Sequence, residues 1–239
     1  MKKILFTKQG EKIYVKDSSK DFHTKHGYIK KQDLKKTKAT TNTGKKFYIV
    51  NPSFIDLFKK IKRAPQIIPL KDIAAIITET GINKESIVVD AGSGSGALSC
   101  FLANIVKKVY TYEIREDFIE VVKRNKEFLN LKNLIIKKQN IYEKLSEKNI
   151  DLITLDLPEP WKALNNTEKA LKKGGFLVSY SPTIPQISDF VKEVKKNKNF
   201  IFIKTIEIIE RNWEVDERKI RPKSQAIGHS GFLTFARRV

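Results

Sequence analysis

Through the first fifty residues, apolar and polar positions alternate with no helical period. Lys12–Lys16, Gly27–Lys31 and Lys46–Val50 read as short strands joined by polar turns, and Asn42-Thr43-Gly44 is a turn signal just before the last of them. Asn51-Pro52-Ser53 then stops the strand and caps a helix on which Phe54, Leu57, Phe58 and Ile61 keep helical spacing. The pattern predicts a small β-rich module with a linker helix over residues 1–62.

From residue 63 to 239 the period changes. A helix over Asp72–Thr80 leads into the apolar strand Ile87-Val88-Val89-Asp90, and after a glycine-rich turn Leu98, Phe101, Leu102 and Ile105 line one helical face. The alternation continues with strand Val109–Glu113 and a helix carrying Phe118, Val121, Val122 and Leu129. Strands Leu134–Lys137 and Asp151–Asp156 follow, and then a helix from about Trp161. Lys172-Lys173-Gly174-Gly175 ends that helix and opens strand Phe176–Tyr180. A helix with Ile187, Phe190, Val191 and Val194 precedes two closing strands, Phe200–Ile209 and Gly231–Ala236. Strands and helices alternating at this spacing predict an α/β domain, a mainly parallel sheet covered on both faces.

Charge points to a class of partner. The 239 residues carry 47 Lys and Arg against 27 Asp and Glu, a net charge of +20, and residues 1–62 hold 17 of the lysines against 5 acids. The excess is concentrated where the β-rich module lies, which predicts attraction to a polyanion through that module. The competing reading is a lysine-rich composition with a solvated surface. A single cysteine, Cys100, excludes an intrachain disulfide and a thiolate metal cluster. The apolar run near the start, Ile4-Leu5-Phe6, is shorter than the roughly 7–15 residues of a signal peptide and the roughly 20 of a membrane span. A cytoplasmic protein with no membrane association is expected.

Candidate chemistry sits at strand ends. Asp90-Ala91-Gly92-Ser93-Gly94-Ser95-Gly96-Ala97 joins a strand to a helix, where glycines permit a tight turn and the helix amino end offers free N–H groups. Glu113 ends the next strand, at the spacing that suits a ribose. Gly92-x-Gly94-x-x-Ala97 fits a dinucleotide loop, and Gly92-x-Gly94-x-Gly96 fits an S-adenosylmethionine loop. Two features favour the second. About 85 residues precede the loop, whereas a dinucleotide loop usually opens its domain. Asp156-Leu157-Pro158-Glu159-Pro160-Trp161 also puts a carboxylate, two prolines and a flat aromatic at a strand's carboxyl end, a rigid wall for a nucleobase. Burial of Trp161 as a helix anchor is the plainer alternative.

These strings resemble the TrmI-type family of tRNA (adenine-N1-)methyltransferases. Arg63-Ala64-Pro65-Gln66-Ile67-Ile68-Pro69-Leu70-Lys71-Asp72 is similar to its Arg-x-x-Gln-Ile-Ile-Tyr-Pro-Lys-Asp segment, and Asp90–Leu98 to its Glu-Ala-Gly-Thr-Gly-Ser-Gly-Ala-Leu loop. Tyr112–Phe118 and Asp156–Trp161 match closely. His26-Gly27-Tyr28-Ile29 resembles part of its small β-domain, and Arg211-x-Trp213-x-Val215, Arg221-Pro222 and Gly228-His229-Ser230-Gly231-Phe232-Leu233 resemble its carboxyl end. Pro69-Leu70 stands where the family has Tyr-Pro, which removes an aromatic, and Asn140 replaces an Asp after the third strand.

The resemblance implies a class I S-adenosylmethionine-dependent methyltransferase fold with a small N-terminal β-rich domain. It further implies methylation of adenine 58 in the tRNA T-loop, extending in some members to adenine 57, and a homotetramer. Residues expected to hold S-adenosyl-L-methionine are Asp90, Gly92, Ser93, Gly94, Ser95, Gly96, Ala97, Glu113, Ile114, Asn140, Ile141 and Asp156. Asp156, Tyr180 and Gln66 are the expected catalytic residues. Asp156 would accept from the adenine amine and favour the developing cation, Tyr180 would stack or donate, and Gln66 would order the pocket. Trp161, Arg221 and His229 are expected to touch RNA. No metal is expected: His23 and His26 have no ligand partners at metal spacing, and methyl transfer to a ring nitrogen needs none. Rival readings are a corrin or small-molecule methylase, an exocyclic-amine methylase, a non-catalytic RNA-binding subunit and a dehydrogenase.

Overall fold

The structure is a computed structural model describing residues 1–63, 67–225 and 227–239. The chain divides into two units, Met1–Lys60 and Ile61–Val239.

The first unit contains β1 (Lys3–Phe6), β2 (Lys12–Val15), β3 (Phe22–Thr24), β4 (Gly27–Ile29), β5 (Lys38–Thr40) and β6 (Lys46–Val50). An antiparallel sheet runs in the order β2-β1-β6-β5, and β3 pairs with β4 in a separate ribbon. Period-two patterning explains β6. Phe47 and Ile49 turn into a core with Leu5, Val15, Ile29, Leu34 and Ala39, while Lys46, Tyr48 and Val50 face outward. Helix α1 (Phe54–Phe58) begins where the Ser53 N–H donates to the Asp56 carboxylate at 2.9 Å. It is shorter than its apolar spacing suggests, and Ile61 lies beyond it. Strands β1, β3 and β5 were not expected from the pattern.

The second unit is a seven-stranded sheet with helices. In chain order its elements are α2 (Leu70–Thr80), β7 (Ile87–Ala91), α3 (Ala97–Ala103), β8 (Lys108–Glu113), α4 (Glu116–Leu129), β9 (Leu134–Lys138), β10 (Ile150–Leu155), α5 (Leu164–Ala170), β11 (Leu171–Ser181), α6 (Ile184–Lys196), β12 (Phe200–Glu207), β13 (Trp213–Asp216), β14 (Lys219–Pro222) and β15 (Phe232–Arg238). The sheet order is β12-β15-β11-β10-β7-β8-β9. Strands β11, β10, β7, β8 and β9 are parallel, and β15 runs antiparallel to both β11 and β12. Strand β7 is apolar because both faces are covered, and Val88, Val89 and Ala91 are fully buried.

Three segments depart from expectation. A tight 3-10 turn, Pro160–Ala163, precedes α5, so the helix starts later than Trp161. Strand β11 begins at Leu171 rather than after the glycine pair, its register against β10 shifting between Ile150 and Leu152. The β13–β14 hairpin was not anticipated at all. Among the described residues no helix is long and apolar enough to cross a membrane.

The topology fixes where ligands can sit. From β7 the chain passes to β8 and β9 on one side, then returns to β10 on the other. Strand order therefore reverses between β7 and β10, and their carboxyl ends open a crevice.

Candidate active site

The loop after β7 and the residue after β10 meet in that crevice. The Asp156 N–H donates to the Ala91 carbonyl at 2.9 Å, extending the strand pairing by one residue. Gly92 lies beside this joint at φ +83°, where a β-carbon would come 2.0 Å from the Asp156 carbonyl oxygen. Only glycine fits there. Gly94, at φ +50°, has open space beside it, whereas a β-carbon on Gly96 would press on Val122 at 2.9 Å. The first and third glycines serve packing, and the middle one leaves room above the loop.

Beneath the loop Asp90 is buried, its two carboxylate oxygens accepting from the hydroxyls of Thr154 (2.8 Å) and Thr111 (3.0 Å). Burial pushes its carboxyl up to about 6, against the pull of those hydroxyls, and the Glu113 charge adds to the rise. Glu113 ends β8 and accepts from the N–H groups of Ile114 (2.8 Å), Arg115 (3.0 Å) and, from the loop after β7, Gly94 (3.1 Å). Asp156 is largely desolvated. Burial first, then the charges of Asp90 and Glu113, raises its carboxyl to about 7. Among the described residues no hydrogen bond reaches its carboxylate.

Two cavities share Asp156, Ile67 and Ile68. One is a narrow cleft of about 20 Å³ lined also by Asp90, Gly92, Ser93, Gly94, Ser95, Ala97 and Leu98. The other, about 230 Å³, is walled by Pro69, Tyr180, Pro182, Ile227 and Ser230. Asp156 is the one ionisable group among the described residues common to both. The glycine-loop cleft fits S-adenosylmethionine on three counts. The buried Ser93 hydroxyl has no hydrogen-bond partner among the described residues, backbone beside Gly94 is open, and two carboxylates, Asp90 and Asp156, with no cation among the described lining residues and Glu113 close by at the Gly94 N–H, suit a sulfonium. A dinucleotide pyrophosphate would meet the same carboxylates unfavourably.

The remaining expected residues are distributed unevenly. Ile114 is an apolar side chain 62 % exposed beside Glu113, a surface a flat base could cover. Ile141 belongs to the sheet core. Asn140 serves its own turn, accepting from the Tyr142 N–H at 3.0 Å and donating to Glu143 at 3.3 Å. Trp161 packs partly buried against the core. Arg221 lies exposed on the β13–β14 hairpin and donates to Glu214 at 3.2 Å. His229 bridges Glu207 (2.6 Å) and the Pro182 carbonyl (2.9 Å). The Glu207 contact first, then the Pro182 carbonyl, favours the protonated ring and raises its pKa. Gln66 lies outside the described residues.

Tyr180 reaches the larger cavity from the end of β11, and its hydroxyl donates to the Ser230 carbonyl at 2.5 Å. That proton is therefore engaged, which leaves the ring rather than a donor for a bound base. Residues the sequence reading missed lie behind it. Lys71 and Asp72 open α2, and Lys71 Nζ lies 2.9 Å from Asp72 Oδ1 and 2.6 Å from the Ser230 hydroxyl. The only signal for them was their place inside the quoted resemblance strings. Pro69, standing where the family pattern has tyrosine, makes that part of the wall aliphatic.

The chain and its fold have known counterparts. The pattern of the family described as tRNA methyltransferase complex GCD14 subunit matches residues 47–221. A Methanocaldococcus jannaschii protein named tRNA (adenine(57)-N(1)/adenine(58)-N(1))-methyltransferase TrmI is 36 % identical over 98 % of this chain and 94 % of its own. The Thermus thermophilus tRNA (adenine(58)-N(1))-methyltransferase TrmI is 32 % identical over 83 % of this chain and 79 % of its own. A crystal structure described as a SAM-dependent O-methyltransferase from Thermotoga maritima superposes with a TM-score of 0.87 at 30 % identity, covering 100 % of this chain and 92 % of that one. With a glycine loop and an acid pair at the strand switch point, and likeness running along nearly its whole length, the chain belongs to the GCD14 family of tRNA methyltransferases.

Proposed function

We propose that this protein methylates N1 of adenine 58 in the tRNA T-loop, with adenine 57 as a second acceptor because the relative at 36 % identity is named for both positions. The observation that carries the reading is Asp156, which lines both the glycine-loop cleft and the 230 Å³ cavity. S-adenosyl-L-methionine supplies a methyl group on a cationic sulfur. The backbone around Gly94, the Ser93 hydroxyl and Glu113 would hold it, with Glu113 exchanging its Gly94 contact for the ribose hydroxyls.

Adenine N1 carries its own lone pair, so the acceptor needs no strong base. Transfer would break the S–CH3 bond as the N–CH3 bond forms, so that a neutral thioether departs and the positive charge passes to the base. Asp156, accepting from the exocyclic amine, would stabilise that charge in a low-dielectric pocket. Tyr180, Ile67, Ile68 and Pro69 supply flat and apolar walls to orient the ring, an effect of proximity rather than of proton transfer. In folded tRNA the base must first leave its stack, at roughly a few kcal/mol. The lysine-rich unit 1–60 would hold phosphates during that step, and Arg221 and His229 would extend the RNA contact. We extend the proposal to a cytoplasmic homotetramer. The β13–β14 hairpin supports self-association, because its Trp213, Val215 and Ile220 are more than half exposed.

Unmodified tRNA incubated with methyl-labelled S-adenosylmethionine and digested to nucleosides is expected to yield N1-methyladenosine mapping to positions 58 and 57. Asp156→Asn is expected to lower the rate by roughly 10²–10³ with little change in cofactor-independent tRNA binding. Label on another nucleoside or on a ribose oxygen would overturn the acceptor. No label on any RNA would overturn the substrate class.

A further inference from the structure

Behind Tyr180 lies a charged cluster that the transfer itself does not use. Asp72 is 1 % exposed, in the first turn of α2. Lys71 Nζ is close to both of its oxygens, at 2.9 and 3.0 Å, and also donates to the Ser230 hydroxyl at 2.6 Å. The Ser230 hydroxyl donates onward to Asp72 Oδ2 at 2.9 Å. Each member therefore meets the other two. The Ser230 carbonyl in turn receives the Tyr180 hydroxyl, and Gly231 lies so close to the Tyr180 ring that a β-carbon would come within 2.4 Å of it.

Such a cluster is a costly way to fasten a loop. Taking two charges out of water is repaid only when the geometry is good and the remaining donors and acceptors are filled. What it secures is directional. A hydrophobic contact would hold segment 228–231 near α2 with freedom to slide, whereas two hydrogen bonds at its hydroxyl, one from Lys71 and one to Asp72, fix Ser230, and so its carbonyl, in one place. From the structure we propose that Lys71, Asp72 and Ser230 are positioning residues: a buried ion pair latches Ser230, whose carbonyl orients the Tyr180 ring against the base in the 230 Å³ cavity. This rests on that cavity being the site of the acceptor base. The cofactor cleft shares Asp156, Ile67 and Ile68 with it, but none of Lys71, Asp72, Ser230 or Tyr180 is among its described lining residues.

Ser230→Ala removes the hydroxyl from the cluster and keeps the carbonyl. Steady-state methylation of tRNA by this variant is expected to show kcat reduced by roughly ten- to hundredfold, the cost of misplacing a reacting group by about 1 Å, with KM for S-adenosylmethionine within twofold of wild type. Ser230→Thr, which keeps a hydroxyl, is expected to restore kcat to within threefold. In a double-mutant cycle, Tyr180→Phe should add little to Ser230→Ala, since both act through one link. A kcat for Ser230→Ala within twofold of wild type would overturn the proposal, as would full additivity with Tyr180→Phe. A thermal melt separates misfolding from misplacement. If Ser230→Ala melts more than 10 °C below wild type, the Thr variant and Tyr180→Phe carry the decision. Failure of the substrate reading is distinguishable, because then the wild-type enzyme itself leaves tRNA unlabelled.

Discussion

Asp156 combines two demands that pull its carboxyl in opposite directions. It must be ionised to stabilise a cationic base, yet burial and the neighbouring charges of Asp90 and Glu113 hold its pKa up at about 7. A cationic ligand resolves the conflict. The sulfonium favours the ionised form, so by linkage the cofactor must bind more tightly as the group loses its proton. At pH 6 the carboxyl of the free protein is mostly protonated, and at pH 8 mostly ionised. The Kd for S-adenosylmethionine is therefore expected to fall about tenfold from pH 6 to pH 8, the change for one group titrating near the middle of that range. S-adenosylhomocysteine has an uncharged sulfur and should change less than threefold. Isothermal titration at the two pH values checks both, and Asp156→Asn should flatten the first. Equal pH dependence for the two ligands would mean that the acids of the crevice do not sense the charge on sulfur.

At the scale of elements, the two glycines flanking Ser93 have separable duties. Gly92→Ala would push a β-carbon into the Asp156 carbonyl, where β7 and β10 are joined, and no side-chain movement relieves a backbone clash. Gly94→Ala meets nothing, so its cost is a left-handed non-glycine residue, about 1–2 kcal/mol, and an added methyl where the cofactor should lie. Gly92→Ala is expected to lower Tm by several degrees or to prevent folding. Gly94→Ala should melt within about 5 °C of wild type but bind S-adenosylmethionine at least tenfold more weakly. Comparable melting and binding losses in both would mean that the loop acts as one structural turn. These elements were legible because their signals are local. The apolar run before Asp90, the glycines and the acid at the end of β8 all lie within residues 87–113. The cluster behind Tyr180 was not, since Asp72 and Ser230 are 158 residues apart and meet only in the fold. The β13–β14 hairpin escaped for another reason. Its two connecting residues are Glu217 and Arg218, with Glu217 at φ +45°, where Asn or Gly would have announced the turn. Gly174-Gly175 misled in the opposite sense. The pair reads as a break before a strand but lies within β11, where a β-carbon on Gly175 would come 3.0 Å from the Ile150 carbonyl of the neighbouring strand.

At the scale of the whole molecule, charge and chemistry are concentrated in different stretches of the chain. The acids that would handle the cation are in the second unit, whereas 17 of the 47 basic residues fall in residues 1–62. Within the first unit, Lys8, Gln9, Lys45, Lys46 and Tyr48 line a surface cavity of about 210 Å³, and the outward-facing ring of Tyr48 also lies 5.3 Å from Lys38 Nζ. Cations gathered around an exposed aromatic suit RNA, whose phosphates pair with the lysines while a base stacks on the ring. Such binding releases counterions, so the logarithm of the affinity for tRNA should fall linearly with that of salt concentration, by about 0.7–0.9 per phosphate neutralised. Replacing Lys8, Lys45 and Lys46 together by alanine is expected to make that slope shallower by about two and to weaken binding at least tenfold at low salt. Because these side chains are not among those lining the methyl-transfer cavities, kcat at saturating tRNA should stay within twofold of wild type. Filter binding across a salt series and single-turnover methylation check the two halves separately. An unchanged slope together with an unchanged kcat would remove the β-rich unit from the RNA interface and leave the charge of its surface to solvation alone. A fall in kcat without a change in slope would assign these lysines to delivery of the base rather than to capture of the RNA.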